Sequence, residues 1–311
     1  MGKDKIIRCI TSDGTIMAAA IDSGNIVHTA QCVHHTSPVA TAALGRLLTA
    51  SSIMGAMLKK DDAVVSLKAN GGGPLGSVCA LADSRGNCRG FVEHPEVDLP
   101  LRPDGKLDVG SAVGKNGLLT VMRDLGDGQP YTGSTELVTG EIAEDVTAYY
   151  AYSEQIPTVC ALGVLLDKED HKVLLAGGLL IQALPTATEE ELMKLEENVK
   201  KMESVTTMLA KGMDILSICK KALDGFTVEV LDEFEVGYTC TCSKERVVHA
   251  LCTLKPEEIE TLADEETGYM EAHCQYCNKH YQFSKKELKA IADRLRENQS
   301  KRETEKPEQE S

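Results

Sequence analysis

Apolar positions along residues 1–185 recur in short alternating runs broken by turn residues. "KIIRCI" and "TIMAAAI" flank "SDGT" and predict an antiparallel hairpin. Ser37 followed by Pro38 marks a helix start, and Leu44, Leu47, Leu48, Met54 and Leu58 then recur at helical spacing, so this helix is expected to be buried. "AVVSLKAN", "GSVCALAD" and "CRGFVEH" read as strands separated by "GGGPL" and "SRGN", and "LLTVMRDL" with "YTGSTELV" as a further hairpin. "EIAEDVTAYYAYSEQIP" reads as a helix, and "VCALGVLLD" with "KVLLAGGLLIQALP" as a last strand pair. The pattern predicts an α+β chain whose amino-terminal domain, residues 1–185, is mixed and mainly antiparallel.

Beyond it the texture changes. Residues 186–236 are expected to form a helical linker: Thr188 and Glu191 make a capping-box pattern, and Leu192, Leu195, Val199 and Met202 share one face of an amphipathic helix. Gly212 interrupts that pattern and Gly225 ends the next segment. Residues 237–295 form a third unit, in which Ser243 and Pro256 open short helices and "YMEAHCQYCNKHYQF" reads as two short strands around a cysteine knuckle. Ser284 and Glu287 cap a final helix carrying Leu288, Ile291 and Leu295, and residues 296–311, with nothing apolar to bury, are expected to be a disordered charged tail.

Composition narrows the function. The chain has 311 residues, 42% of them hydrophobic, enough for a real core. Its formal charge of −15 and the absence of Trp work against nucleic-acid binding. The first twenty residues lack the continuous apolar stretch of a secretory signal, and the longest apolar run, residues 173–181, is shorter than the ~20 residues a membrane span needs. A cytoplasmic protein with no membrane partner is expected. Eleven cysteines, an odd number without an export signal, then read as reduced thiols rather than a disulfide framework.

Most candidate sites fail on context. "GGGPLG" fits a glycine-rich nucleotide pattern through Gly71, Gly73 and Gly76, but the following "SVCALAD" alternates like a strand, and a phosphate cradle needs a helix there. Cys32, His34 and His35 supply too few ligands for a closed metal site. Cys9, Cys79, Cys88, Cys160 and Cys219 sit mainly among apolar neighbours and read as small core residues.

Four cysteines differ. Cys240 and Cys242 lie one residue apart, Cys274 and Cys277 two apart, and two such pairs can converge on one tetrahedral Zn²⁺ with Zn–S distances of ~2.3 Å. Four thiolates leave no open position, so the site is expected to be structural; His249, His273 and His280 are alternative ligands. A unit this small needs such a staple. Without the metal, each pair is close enough in sequence to bridge, so the same atoms have two bonding states. Lys244 and Arg246 are expected to favour thiolate. Oxidation should unfold the unit, and if the linker packs against it or depends on it, the face of Leu192, Leu195, Val199 and Met202 becomes exposed and able to bind unfolded chains.

At these residues the chain resembles the bacterial redox-regulated holdase chaperones, the thirty-three-kilodalton heat-shock chaperone family. "CTCSKER" and "HCQYCNKHYQFSKKEL" are similar to its zinc switch, and "ALGRLLTASSIMGAMLK", "GGGPLG", "SEQIP" and "AGGLLIQALP" to its amino-terminal domain, in the same order. The resemblance implies a protein that is inactive when reduced and loaded with one Zn²⁺ on Cys240, Cys242, Cys274 and Cys277. It implies activation by peroxide- or hypochlorite-type oxidants through disulfides Cys240 to Cys242 and Cys274 to Cys277. Active members are homodimers that hold unfolding clients without ATP and pass them to ATP-dependent refolding chaperones. Cys252 is a fifth thiol in the zinc unit that the family pattern does not require. The resemblance implies no enzyme. The competing readings are a thiol-disulfide oxidoreductase using Cys274 and Cys277, which expects a thioredoxin-like strand and helix around the pair, and a zinc-dependent nucleic-acid module. Eight Lys and Arg against ten Asp and Glu in residues 237–295 weigh against the second.

Overall fold

The computed structural model describes residues 3–304 and divides into two units, Met1–Thr239 and Cys240–Ser311. In the first unit the hairpin at "SDGT" is β1 (Asp4–Thr11) with β2 (Ile16–Asp22), followed by α1 (Gly24–His34) and α2 (Pro38–Ala56). The strands β3 (Val64–Gly72), β4 (Val78–Asp83) and β5 (Cys88–Val92) come next, then α3 (Val109–Val113), β6 (Gly114–Asp124), β7 (Tyr131–Glu136) and α4 (Ala143–Tyr149). A π-helical turn, Tyr150–Glu154, leads into β8 (Thr158–Leu166) and β9 (Val173–Ala183). All the strand pairs are antiparallel, as expected, and "GGGPLG" joins β3 to β4 rather than opening a helix. A Cβ on Gly71 would come within 2.0 Å of the Gly114 carbonyl oxygen, so these glycines serve close backbone approach. The expected reading assigned no helix to Gly24–His34, a stretch with β-branched residues and little helix propensity that packs beside α2.

Two five-stranded sheets, ordered β10-β1-β2-β9-β8, with β10 at Val228–Val236, and β5-β4-β3-β6-β7, enclose α2. Ser37 Oγ accepts from Ala40 N–H at 3.3 Å and Pro38 occupies the first turn, which sets the start of the helix. By length and composition α2 could cross a membrane, but it is buried along nearly its whole length between the sheets. Small residues permit that: a Cβ on Gly55 would meet the Asp83 carbonyl oxygen at 2.4 Å.

The expected helical linker, residues 186–236, is only partly helical. It forms α5 (Glu189–Lys201), α6 (Val205–Ala210) and α7 (Ile215–Ala222), and then β10 (Val228–Val236), an edge strand beside β1. "VEVLDEFEV" alternates with period two, and its acids meet bases on and just before β1: Lys3 with Glu235 at 2.6 Å, Lys5 with Glu233 at 2.7 Å, and Arg8 with Asp232. The capping box is present, with Glu191 N–H donating to Thr188 Oγ1 at 3.3 Å and Thr188 N–H to Glu191 Oε2 at 2.7 Å. Leu195 is buried, and Val199 and Met202 are partly buried, with Val205, Met208, Ile215 and Ile218 against Ile7, Ile16, Leu179 and Ile181 of the first sheet. The apolar face of the linker therefore rests on the amino-terminal sheet.

The second unit comprises α8 (Lys244–Leu251), α9 (Pro256–Glu260), the hairpin β11 (Tyr269–His273) and β12 (His280–Ser284), and α10 (Lys285–Thr304). Its core is six buried residues: Leu251, Ile259, Ala263, Phe283, Leu288 and Ala292. The tail expected to be disordered from residue 296 is helical through Thr304, since its Glu, Lys, Arg and Gln are good helix formers and Arg296 bonds Glu260 at 2.9 Å and Asp293 at 3.0 Å. Residues 305–311 of that expectation lie outside the described residues.

Candidate metal centre

The chain reaches the first cysteine pair from a pinned position. Cys88 N–H donates to the Gly237 carbonyl at 3.0 Å, Thr239 N–H to the Cys88 carbonyl at 2.9 Å, and Tyr238 Oη to the Gly90 carbonyl at 2.9 Å. Cys242 is followed at once by Ser243, whose Oγ accepts from Arg246 N–H at 3.3 Å and starts α8. The second pair occupies the β11–β12 turn. Its knuckle is closed by Cys274 N–H to the Lys279 carbonyl at 2.9 Å and Asn278 N–H to the Cys274 carbonyl at 2.9 Å, with Asn278 at φ 55, a left-handed position that Asn tolerates.

The four half-buried sulfurs of Cys240, Cys242, Cys274 and Cys277 all lie within 4.8 Å of one another. Cys240 Sγ is 3.7 Å from Cys274 Sγ, and Cys242 Sγ is 3.2 Å from Cys277 Sγ. A regular tetrahedron with metal–sulfur bonds of ~2.3 Å has edges of ~3.8 Å, so the donor set fits one four-coordinate ion. The histidines weighed as alternatives lie outside this group. His273 and His280 face each other across the hairpin with ring centroids 4.6 Å apart, and His280 Nδ1 lies 3.3 Å from Glu271. His249 and the exposed Cys252 border a groove between α8 and α10 with Ile291 and Arg294.

Electrostatics distinguish the sulfurs. Burial opposes the charged form of Cys242, but hydrogen bonds from Tyr281 Oη, at 3.1 Å, and from the neighbouring thiols outweigh it and bring Cys242 down to about 7. Burial and the same neighbours push Cys277 up to about 12, and burial raises Cys240. The expected help from Lys244 and Arg246 is not what lowers Cys242. Lys244 Nζ is held by Glu287 at 2.7 Å and Arg246 Nη1 donates to Thr241 Oγ1 at 2.8 Å. Tyr281 was missed; its signal was the strand alternation of "HYQF", which carries it back over the knuckle.

Of the other singled-out residues, His34 is buried and within 3.1 Å of Tyr238 Oη, while Cys32 is exposed and His35 caps α1 in a left-handed conformation. They do not join into a metal group. Cys9, Cys88 and Cys219 are buried and Cys79 and Cys160 half-buried, in keeping with core roles.

The Hsp33 protein family profile matches residues 4–284. A 33 kDa chaperonin of Clostridioides difficile is 45% identical over 289 residues, covering 93% of this chain and 98% of its own. A 33 kDa chaperonin of Lachnoclostridium phytofermentans is 45% identical over 291 residues, covering 94% and 99%. The crystal structure of the 33 kDa chaperonin, a heat shock protein 33 homolog, from Thermotoga maritima aligns with a TM-score of 0.86 at 32% identity, covering 95% of this chain and 100% of that one. The fold, the clustered sulfurs and these likenesses agree: the chain belongs to the Hsp33 family of chaperones.

Proposed function

We propose that this chaperone is an ATP-independent holdase of the cytoplasm, silent when reduced and switched on by oxidation of Cys240, Cys242, Cys274 and Cys277. The observation that carries the reading is the mutual approach of four sulfurs to within 4.8 Å in a unit whose described residues form a small hydrophobic core. When bound, Zn²⁺ supplies a four-way cross-link between the two cysteine segments and, with every position filled by sulfur, no hydrolytic site.

Spacing along the chain supports the pairing of the disulfides. In the folded unit Cys240 approaches Cys274 and Cys242 approaches Cys277, partners 34 and 35 residues apart in sequence. Once the unit loosens, those partners separate, whereas partners one or two residues apart keep a high effective concentration. Peroxide therefore closes Cys240 to Cys242 and Cys274 to Cys277. In each pair one sulfur takes oxygen from the peroxide and the other displaces it, so two thiols and one peroxide give one disulfide and two waters.

The client surface follows from the linker. Loss of the second unit frees the chain after Thr239, and release of α5–α7 uncovers both their apolar face and the sheet face of Ile7, Ile16, Leu179 and Ile181. Such a surface binds unfolding chains and a second copy of itself, and clients then pass to ATP-dependent refolding chaperones. The oxidoreductase alternative finds two strands of a hairpin, β11 and β12, around Cys274 and Cys277. To test the reading, zinc, free thiols and suppression of client aggregation are measured before and after peroxide. Loss of one zinc and four thiols together with onset of protection is expected; equal protection in both states would remove the switch.

A further inference from the structure

The last strand of the first sheet continues onto the edge of the second. β10 pairs with β1, and the residues that follow it, 237–239, lie on the open edge of β5, where Tyr238 and Cys88 form a parallel bridge through the Gly237 carbonyl and the Thr239 N–H. At Gly90, two residues further along β5, the Tyr238 phenol closes the same edge. Its Oη donates its one proton to the Gly90 carbonyl at 2.9 Å and accepts from Gly90 N–H at 3.4 Å. With that proton committed, Nε2 of the buried His34, 3.1 Å from Oη, is the donor of a third bond.

We propose that residues 228–239 are a strap across both sheets, that Tyr238 with Gly90 and His34 is the clasp on its end, and that the linker helices stay seated until this clasp opens. The helices α5–α7 are held at both ends. Before them β9 pairs with β2 and Leu184 N–H donates to the Thr15 carbonyl at 2.8 Å; after them Ser12 N–H donates to the Thr227 carbonyl at 2.8 Å and β10 pairs with β1. Unfolding of the second unit frees the chain only from Cys240 onward. The next contacts to break, moving back along the chain, are those of Thr239, Tyr238 and Gly237, and then β10 itself. The control of the linker rests on the reading of residues 186–236 as the switch segment; the clasp itself does not.

Other fastenings of the strap are weaker or lie further from its end. The pairs Lys3 with Glu235 and Lys5 with Glu233 are exposed, and water and salt screen them. Arg8 reaches both Asp232 and, at 2.9 Å, the Ala56 carbonyl at the end of α2, so it holds the middle of β10. The clasp differs in setting. Tyr238 packs against the apolar cluster around α2, as do Phe234 and the buried Val236, and His34 is buried. Loss of the phenol oxygen therefore strands a carbonyl and two N–H groups where little water reaches them. An edge strand frays from its end, and the end of this one is where the clasp sits.

Amide exchange is followed in the full-length reduced, zinc-loaded protein and again during peroxide treatment, with zinc, thiols and client protection read from the same samples. Tyr238→Phe keeps the ring and removes all three bonds. In the reduced state residues 232–239 are expected to exchange roughly tenfold faster than in the parent while α2 is unchanged. His34→Ala accelerates the same residues from a position 204 residues away in sequence. Under peroxide, zinc and the four carboxyl-terminal thiols are lost at the parent's rate in Tyr238→Phe, whereas exchange of α5–α7 and onset of protection follow zinc loss with a lag roughly tenfold shorter. Equal exchange of residues 232–239 in the reduced parent and Tyr238→Phe overturns the clasp. Exchange of α5–α7 in the oxidised parent while β10 stays protected, or an equal lag in parent and variant, overturns its control of the linker. Zinc and thiols unchanged by peroxide would refute the switch instead, and the reduced-state comparison would still decide the clasp.

Discussion

The two units of the chain solve the same problem with unequal means. The first encloses a helix between two five-stranded sheets and buries dozens of apolar side chains, including Leu44, Leu47, Leu48 and Ile53 on α2 alone. Among its described residues the second has a core cluster of six buried side chains and four sulfurs gathered into one group. Hydrophobic burial at roughly 25 cal/mol per Å² can hold a large unit but leaves a small one near balance against chain entropy. On the proposed reading, the small unit depends on bonds that chemistry can remove. The large one does not.

The comparison is broken most decisively by taking the metal away. Structural zinc contributes roughly 10–16 kcal/mol in small modules, more than such a core supplies. Chelation under reducing conditions is expected to abolish amide protection in β11 and β12 while α2 stays protected. Protected β11–β12 amides in the metal-free reduced chain would show that six side chains suffice.

A matched pair of substitutions sharpens it. Leu47 and Leu288 are both 0% exposed, and truncation to Ala costs ~2–5 kcal/mol at either site. Calorimetry should show Leu47→Ala lowering the melting temperature of the large unit, which stays folded at 25 °C. Leu288→Ala should remove the transition of the small unit unless metal is in excess. Similar shifts in both would mean that the small unit has reserves its core does not reveal.

The linker stands between the two. Thr188→Ala removes the capping box and costs ~1 kcal/mol at the start of α5. Limited proteolysis should cut residues 189–201 several-fold faster, with no change in β1 or β9. The mildest expected effect is on pH. Glu287 is held down at about 2 by Lys244 and by the Ser284 backbone and hydroxyl groups. A carboxylate depressed on folding stabilises fully above its unfolded value of ~4.3 and loses that contribution as pH falls toward 2. Urea midpoints of the small unit should therefore fall across that window more in the parent than in Glu287→Gln; equal slopes would assign no role to this ion pair.

Much of this molecule is local and so was legible in the residues. The hairpins β1–β2 and β6–β7, the proline start of α2, the Thr188–Glu191 box and the cysteine spacing each depend on neighbours a few positions away. Where the reading failed, the deciding partner was distant. Residues 228–236 became a strand because β1 offered an open edge with Lys3, Lys5 and Arg8 to match their acids. The face of α5 found its cover beside α7, in the apolar layer that α6 and α7 complete over β9 and β2.

The order of residues by itself determined the α+β class and singled out the four cysteines that cluster, because periodicity, caps and short sulfur spacings are encoded within a few residues. Only the tertiary structure decided that Tyr281 rather than Lys244 tunes Cys242 and that the linker lies on the first sheet. Those contacts join positions tens to hundreds of residues apart, and packing alone chooses which of many compatible surfaces meet.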